Sequence, residues 1–179
     1  GVCVFHTVSA KEIAKGCFAI ETYNLEGFME LGRLCINPHK HEKNITSFFL
    51  STSIKLLRKM KKVVALLTYA DVGFHTGYIY QACNFKYYGL TDQKKDFFII
   101  NEDGSEKKLQ RGKCKHLNGE WREKNQKHRY LIIYDKSLKT IWQEISYPKG
   151  KQKSPFNNEK SNKPNQEFIP IESAQLKLF

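Results

Sequence analysis

Acidic residues are scarce in this chain of 179 residues: 18 Asp and Glu stand against 30 Lys and Arg, a net charge of +12. Long apolar runs are also missing. None approaches the roughly 20 residues that a membrane-crossing helix needs, so no membrane partner is expected. The chain opens on Gly1-Val-Cys-Val-Phe5, a strand-like run, instead of the basic and then apolar stretch of a signal peptide. A cytoplasmic place is expected, with the natural start of the protein upstream. No CxxC spacing occurs among Cys3, Cys17, Cys35, Cys83 and Cys114, and their number is odd. This argues against a disulfide framework or a cysteine zinc site and for free, buried thiols. No internal repeat is present.

What is there suits one folded domain. The hydrophobic fraction is 40% and the aromatic fraction 13%, enough for a core. Val2–Thr7 reads as a strand. Residues 10–17 read as a short helix capped by Ser9, with Gly16 near its end. Residues 30–37 (ELGRLCIN) read as a strand ended by Pro38. After a polar loop, residues 45–61 form the clearest helix, with Ile45, Phe48, Phe49, Leu56, Leu57 and Met60 at helical spacing and Asn44 as cap. Further strands are predicted at 63–68, 85–89, 97–101 and 128–134, with a turn at Asp103-Gly104. Residues 107–127 are basic and weakly patterned. The order gives a mixed α/β sheet, and the long helix joins two strands as a right-handed parallel crossover.

One segment holds the densest chemistry: VVALLTYADVGFHTGYIYQACNFKYYG, residues 63–89. An apolar strand stops at Asp71. A loop with His75 and Gly77 follows, then a helical turn with Tyr78 and Tyr80, then an aromatic strand. Strand ends of α/β sheets are where such folds present polar groups. The excess positive charge is concentrated downstream. Between Ser105 and Lys139, eleven Lys or Arg face four Asp or Glu, so this stretch holds +7 of the +12. Such clustering points to a phosphate-facing surface over mere solubility. The contacts expected are Lys107, Lys108, Arg111, Lys113, Lys115, Arg122, Lys124 and Arg129.

These residues resemble the Mom protein family of phages. The resemblance rests on Glu30, Leu31 and Arg33, then Tyr69-Ala70-Asp71, His75 and Gly77. It continues through Ile79-Tyr80-Gln81-Ala82, Phe85, Tyr88 and Gly89, and a later Lys127-His128-Arg129-Tyr130. It covers roughly residues 1–135. It implies a GCN5-related N-acyltransferase-like mixed sheet flanked by helices, with the N-terminal part of the domain absent here. It also implies hypermodification of DNA adenine, with a carbamoylmethyl-type group placed on N6 to protect phage DNA from restriction. The link between Asp71 and Tyr80 is one residue shorter than the family pattern. Acyl-CoA enters by fold analogy only. The superfamily's glycine loop for pyrophosphate is replaced by Pro38–Asn44, which has no glycine, leaving Lys40, Lys43, Asn44 and Ile45 as the expected anion contacts.

With the resemblance in view, Arg33, Asp71, His75 and Tyr80 are the candidate catalytic residues. Adenine N6 is a poor nucleophile, so an enzyme must position it, desolvate it and move its proton. Arg33 on an apolar strand needs an anionic partner if buried, and Asp71 is expected to supply it. Tyr80 would act as acid and His75 as relay. A metal site from His39, His41 and His75 is a minor alternative; no metal is assigned. Among Tyr78, Phe85, Tyr87 and Tyr88, most are expected in the core and one or two against an extruded base.

Residues 1–147 are taken as the domain and 148–174 as a polar linker. The last five residues, Gln175-Leu176-Lys177-Leu178-Phe179, resemble the bacterial sliding-clamp binding motif. Gln175 would hook, and Leu176, Leu178 and Phe179 would fill an apolar pocket, on a tether that raises local concentration at DNA. Two rivals remain open. One is an N-acyltransferase acting on a small amine or protein with acyl-CoA, which predicts no DNA affinity. The other is a noncatalytic DNA-binding module, indifferent to loss of Asp71.

Overall fold

The computed structural model describes residues 1–8, 10, 12–20, 25–37, 42–109 and 117–150. The elements are β1 (Val2–Thr7), α1 (Glu12–Phe18), β2 (Phe28–Cys35), α2 (Ile45–Met60), β3 (Ala65–Asp71), α3 (Tyr78–Ala82), β4 (Lys86–Leu90), β5 (Lys94–Ile100), β6 (Glu106–Leu109), β7 (Glu120–Lys124) and β8 (Lys127–Ile133). Ser9, His39–His41, Arg111, Lys113, Cys114, Lys115 and the 175–179 motif lie outside the described residues, as does most of the expected linker.

Five strands form one mixed sheet in the order β1-β2-β3-β8-β4. Only β2 and β3 run parallel, joined through α2, as the crossover reading expects. Alternation along β3 builds two cores. Leu66 and Ala70 face α2 and α3, packing with Leu50, Ile54, Tyr80, Phe85, Tyr87 and Tyr130. Ala65 and Leu67 face α1, packing with Ala14, Cys17, Phe18, Phe28 and Leu131, with Trp142 beside them. The sheet is thus covered on both sides, which is why β3 reads as an unbroken apolar run.

Several sequence expectations need correction. Strand β2 begins at Phe28, because Phe28 and Met29 are buried ahead of Glu30. Strand β3 does not stop at Thr68: it runs through Asp71, paired with β8 to its end. Helix α2 spans the expected residues, but its buried residues are Leu50 and Ile54. Phe48, Leu56 and Met60 are 72%, 54% and 79% exposed, so its apolar stripe is wider than the face the sheet covers. Asn44 takes a left-handed backbone (φ 63°) and makes no side-chain cap; its carbonyl accepts from Phe48 N–H and Ser47 Oγ. Within residues 107–127, the basic stretch conceals parts of a second, three-stranded antiparallel sheet in the order β6-β5-β7.

A cleft at the end of the parallel strands

The parallel pairing of β2 and β3 runs from Phe28/Ala65 to Leu31/Thr68 and ends there. Both strands continue, β2 to Cys35 and β3 to Asp71, held by their outer neighbours β1 and β8. Beyond Leu31 and Thr68 the two ladders no longer share hydrogen bonds, and a cavity of about 360 Å³ opens between them. Arg33, Tyr69, Asp71, His75, Tyr80 and Lys127 all line it. The four candidate catalytic residues therefore meet in one place.

Their relations differ from the expectation in one respect. Arg33 is exposed, and no ion pair joins it to Asp71 among the described residues. The splaying of the strands explains this: Arg33 lies past the last paired residue, on the open rim, where its charge stays hydrated. Asp71 is held by neutral donors instead. Its Oδ1 accepts from Gly73 N–H at 2.9 Å and from Asn125 Nδ2 at 3.0 Å. No described residue bonds Oδ2, which leaves that oxygen for a ligand. Gly73 is required by this contact: a Cβ there would come within 2.4 Å of Asn125 Nδ2.

His75 sits on the loop after β3, anchored by its backbone N–H to the Asp71 carbonyl. Gly77 N–H donates to His75 Nδ1 at 3.2 Å, so the proton of the neutral ring resides on Nε2. Half-burial holds the imidazole below its usual pKa, partly offset by the Asp71 charge, so the ring is neutral at pH 7. Tyr80, on α3, is 8% exposed. Burial pushes its phenol above the ordinary range, partly offset by a hydrogen bond with Thr68, so it stays protonated and can donate. Thr68 in turn donates to the Leu31 carbonyl at the point where the strands part.

Beneath the cleft lies an aromatic and imidazole network. Tyr80, Tyr87 and Tyr130 pack at ring-centroid distances of 5.2–5.6 Å, and Tyr87 OH meets His128 Nδ1 at 2.9 Å. Tyr130 donates to the Thr76 carbonyl and accepts from Gln81 Nε2 at 3.0 Å, tying the end of the loop that carries His75 to helix α3. Burial raises its phenol to about 12. Tyr87 and Phe85 belong to the core as expected, whereas Tyr78 is exposed.

Asn125, Lys127 and Tyr69 were not picked out as site residues from sequence. The β3–β8 register offers the missing signal for Lys127, which pairs directly with Asp71. Asn125 is placed by the β7–β8 turn, which sequence pattern does not reveal.

The expected nucleic-acid contacts divide. Lys107 and Lys124 are exposed. Arg122 is engaged by Glu106 and Glu120 and lies 5.0 Å from the Phe98 ring centroid, and Lys108 is paired with Asp96. Arg129 is an internal brace: it stacks on Trp142 at 4.1 Å and donates to the Tyr88 and Leu90 carbonyls. At the expected cofactor loop, Lys43 is exposed, while the Ile45 amide is already given to the Glu42 carbonyl. Residues 38–41 of that loop, Lys40 among them, lie outside the described residues. Among the described residues, no group of three or more His, Cys, Asp or Glu could hold a metal ion, and no helix is long and apolar enough to cross a membrane. Of the described cysteines, Cys17 and Cys83 are buried thiols, Cys3 is half-buried and Cys35 exposed.

A mixed α/β domain with convergent polar side chains at the parting of two parallel strands is a protein built around a strand-end site. The family model described as the Mom protein family matches residues 1–149, and the chain belongs to that family. Membership suggests modification of phage DNA. No curated protein matches the chain.

Proposed function

We propose that the cleft between β2 and β3 modifies adenine in DNA, adding a carbamoylmethyl-type group at N6 and so shielding phage DNA from restriction. The observation that carries this reading is the convergence of Arg33, Asp71, His75 and Tyr80 on one cavity in a chain of the Mom family. The excess of positive charge supports a polyanionic substrate.

The residues divide the work as follows. The open Oδ2 of Asp71 accepts a hydrogen bond from the N6 amine and takes its proton as N6 displaces the donor's leaving group: the new carbon–nitrogen bond forms while the donor carbon's bond to that group breaks, and the group departs with the electron pair. Asn125 and Gly73 hold the carboxylate in place while it does so. Neutral His75, with its proton on Nε2, donates to an acceptor on the base or on the incoming group. Tyr80 donates from the floor of the cleft to oxygen on that group. Arg33 on the rim attracts anionic substrate. A cavity of about 360 Å³ admits a single base, so the adenine must leave the stack or come from a single strand.

The divergence of two parallel strands around the site also supports the acyltransferase-like fold. Acyl-CoA would be the donor by that analogy; the Pro38–Asn44 sequence lacks the superfamily's glycines, and the roles given to the cleft residues do not depend on it. The tail motif Gln175–Phe179 would bring the enzyme to the replication clamp.

The test is mass spectrometry of nucleosides from DNA of cells expressing the full-length gene. A new adenosine derivative is expected. A small-amine or protein acyltransferase would leave the DNA unchanged, and a noncatalytic binder would do the same while still retaining DNA affinity.

A further inference from the structure

A second cavity, of about 240 Å³, lies against the α1 face of the sheet; Glu30, Tyr69, Lys94, Lys124, Asn125 and Lys127 are among its lining residues. Tyr69 and Lys127 line both this cavity and the cleft, so the two meet at the end of β3. We infer that this cavity binds a backbone phosphate of the strand whose base occupies the cleft, an inference that rests on DNA being the substrate.

The charge pattern carries the argument. Lys94 and Lys124 are direct cross-strand partners between β5 and β7. Like charges placed opposite one another on a ladder destabilise it. Two other cations of the same small sheet are matched, Arg122 by Glu106 and Glu120 and Lys108 by Asp96, while Lys107 is exposed on β6. Among the described residues no ion pair engages Lys94, Lys124 or Lys127. Gln93 Nε2 ties the two opposed residues together by donating to both their backbone carbonyls, and both lysines line the cavity. Lys127 adds a third, 5.9 Å from the Tyr69 ring centroid.

An anion between these lysines removes the repulsion. Two carboxylates share the lining with the three lysines, Glu30, which is 9% exposed, and Asp92, exposed just before β5, so the lining keeps a formal charge of +1. The volume is that of about eight waters, room for a phosphate with part of its sugar and too little for a duplex. A phosphate here and a base in the cleft would lie on opposite sides of Tyr69, the geometry that an extruded nucleotide needs.

The experiment is binding of the full chain to labelled single-stranded and duplex oligonucleotides between about 50 and 200 mM salt. The double variant Lys94→Gln/Lys124→Gln should lower the slope of log K against log salt by about one, the value of a single phosphate contact, with unchanged circular dichroism. Lys62→Gln, an exposed lysine beyond the other end of β3, should leave the slope as it is. Wild-type binding with an unchanged slope in the double variant would overturn the phosphate site while leaving the function intact. Absence of DNA binding by the wild type would overturn both.

Discussion

Gly77 is the residue on which the cleft's loop turns, and replacing it with Ala is the sharpest test of that geometry. Its backbone is left-handed, with φ 77°. A Cβ at this position would lie 2.5 Å from Tyr130 Cε2 and 2.9 Å from Cζ. Two costs follow. A left-handed backbone costs an L-residue about 1–2 kcal/mol. Pressing a methyl into a packed ring costs about 1–3 kcal/mol. The lower entropy of the unfolded Ala chain returns about 0.4–1 kcal/mol. Gly77→Ala should therefore destabilise the domain by about 1–4.5 kcal/mol in urea denaturation. It should also loosen His75, whose Nδ1 the Gly77 amide holds. Gly77→Asn separates the two costs, because Asn tolerates the left-handed region but still meets Tyr130. If steric contact dominates, Asn will be at least as damaging as Ala; if the backbone dominates, Asn will be milder. A loss below about 0.5 kcal/mol for Gly77→Ala, the size of an ordinary surface change, would refute the reasoning.

Other outcomes follow from the same geometry. Asn125→Ala leaves Asp71 with the Gly73 amide as its donor and should slow modification by about tenfold, read by nucleoside mass spectrometry, with less than about 1 kcal/mol lost from stability because the contact is exposed. Burial depresses the pKa of both His75 and His128, so the unfolded chain binds more protons than the folded one as pH falls. Stability is present in full above the ordinary imidazole range and declines as pH drops through it and then through the depressed values; melting from pH 8 to pH 5 should show this, and His128→Gln should flatten it. Deleting Gln175–Phe179 should abolish binding to a purified sliding clamp while leaving the melting temperature of the domain unchanged; retained binding would sink the tail's role.

The parts of this protein that could be read from sequence are those written in contiguous residues. The apolar run of β3 and the crossover through α2 follow from local pattern. So does the grouping of Asp71, His75 and Tyr80, which lie within ten residues of one another along the chain. Arg33 joins them because β2 and β3 are parallel neighbours, but its exposure depends on where the pairing ends, and no residue announces that. Of the small β6-β5-β7 sheet, the middle strand and the turn at Asp103-Gly104 were legible; the outer strands were not, because EKKL and EWREK are mostly charged and lack an apolar–polar alternation. Their stability comes from ladder partners and ion pairs that sequence does not reveal. Net charge likewise conceals how cations are used: Arg129 braces Trp142, while Lys94 and Lys124 face each other unmatched.

The central claim is that the β2–β3 cleft performs adenine modification. The most direct measurement compares nucleosides from DNA of cells expressing wild type, Asp71→Asn and Tyr80→Phe, each shown to be folded. The account predicts a new adenosine derivative with wild type, reduced by about 10²–10⁴-fold in Asp71→Asn and strongly reduced in Tyr80→Phe. An undiminished yield of the derivative from folded Asp71→Asn would contradict it.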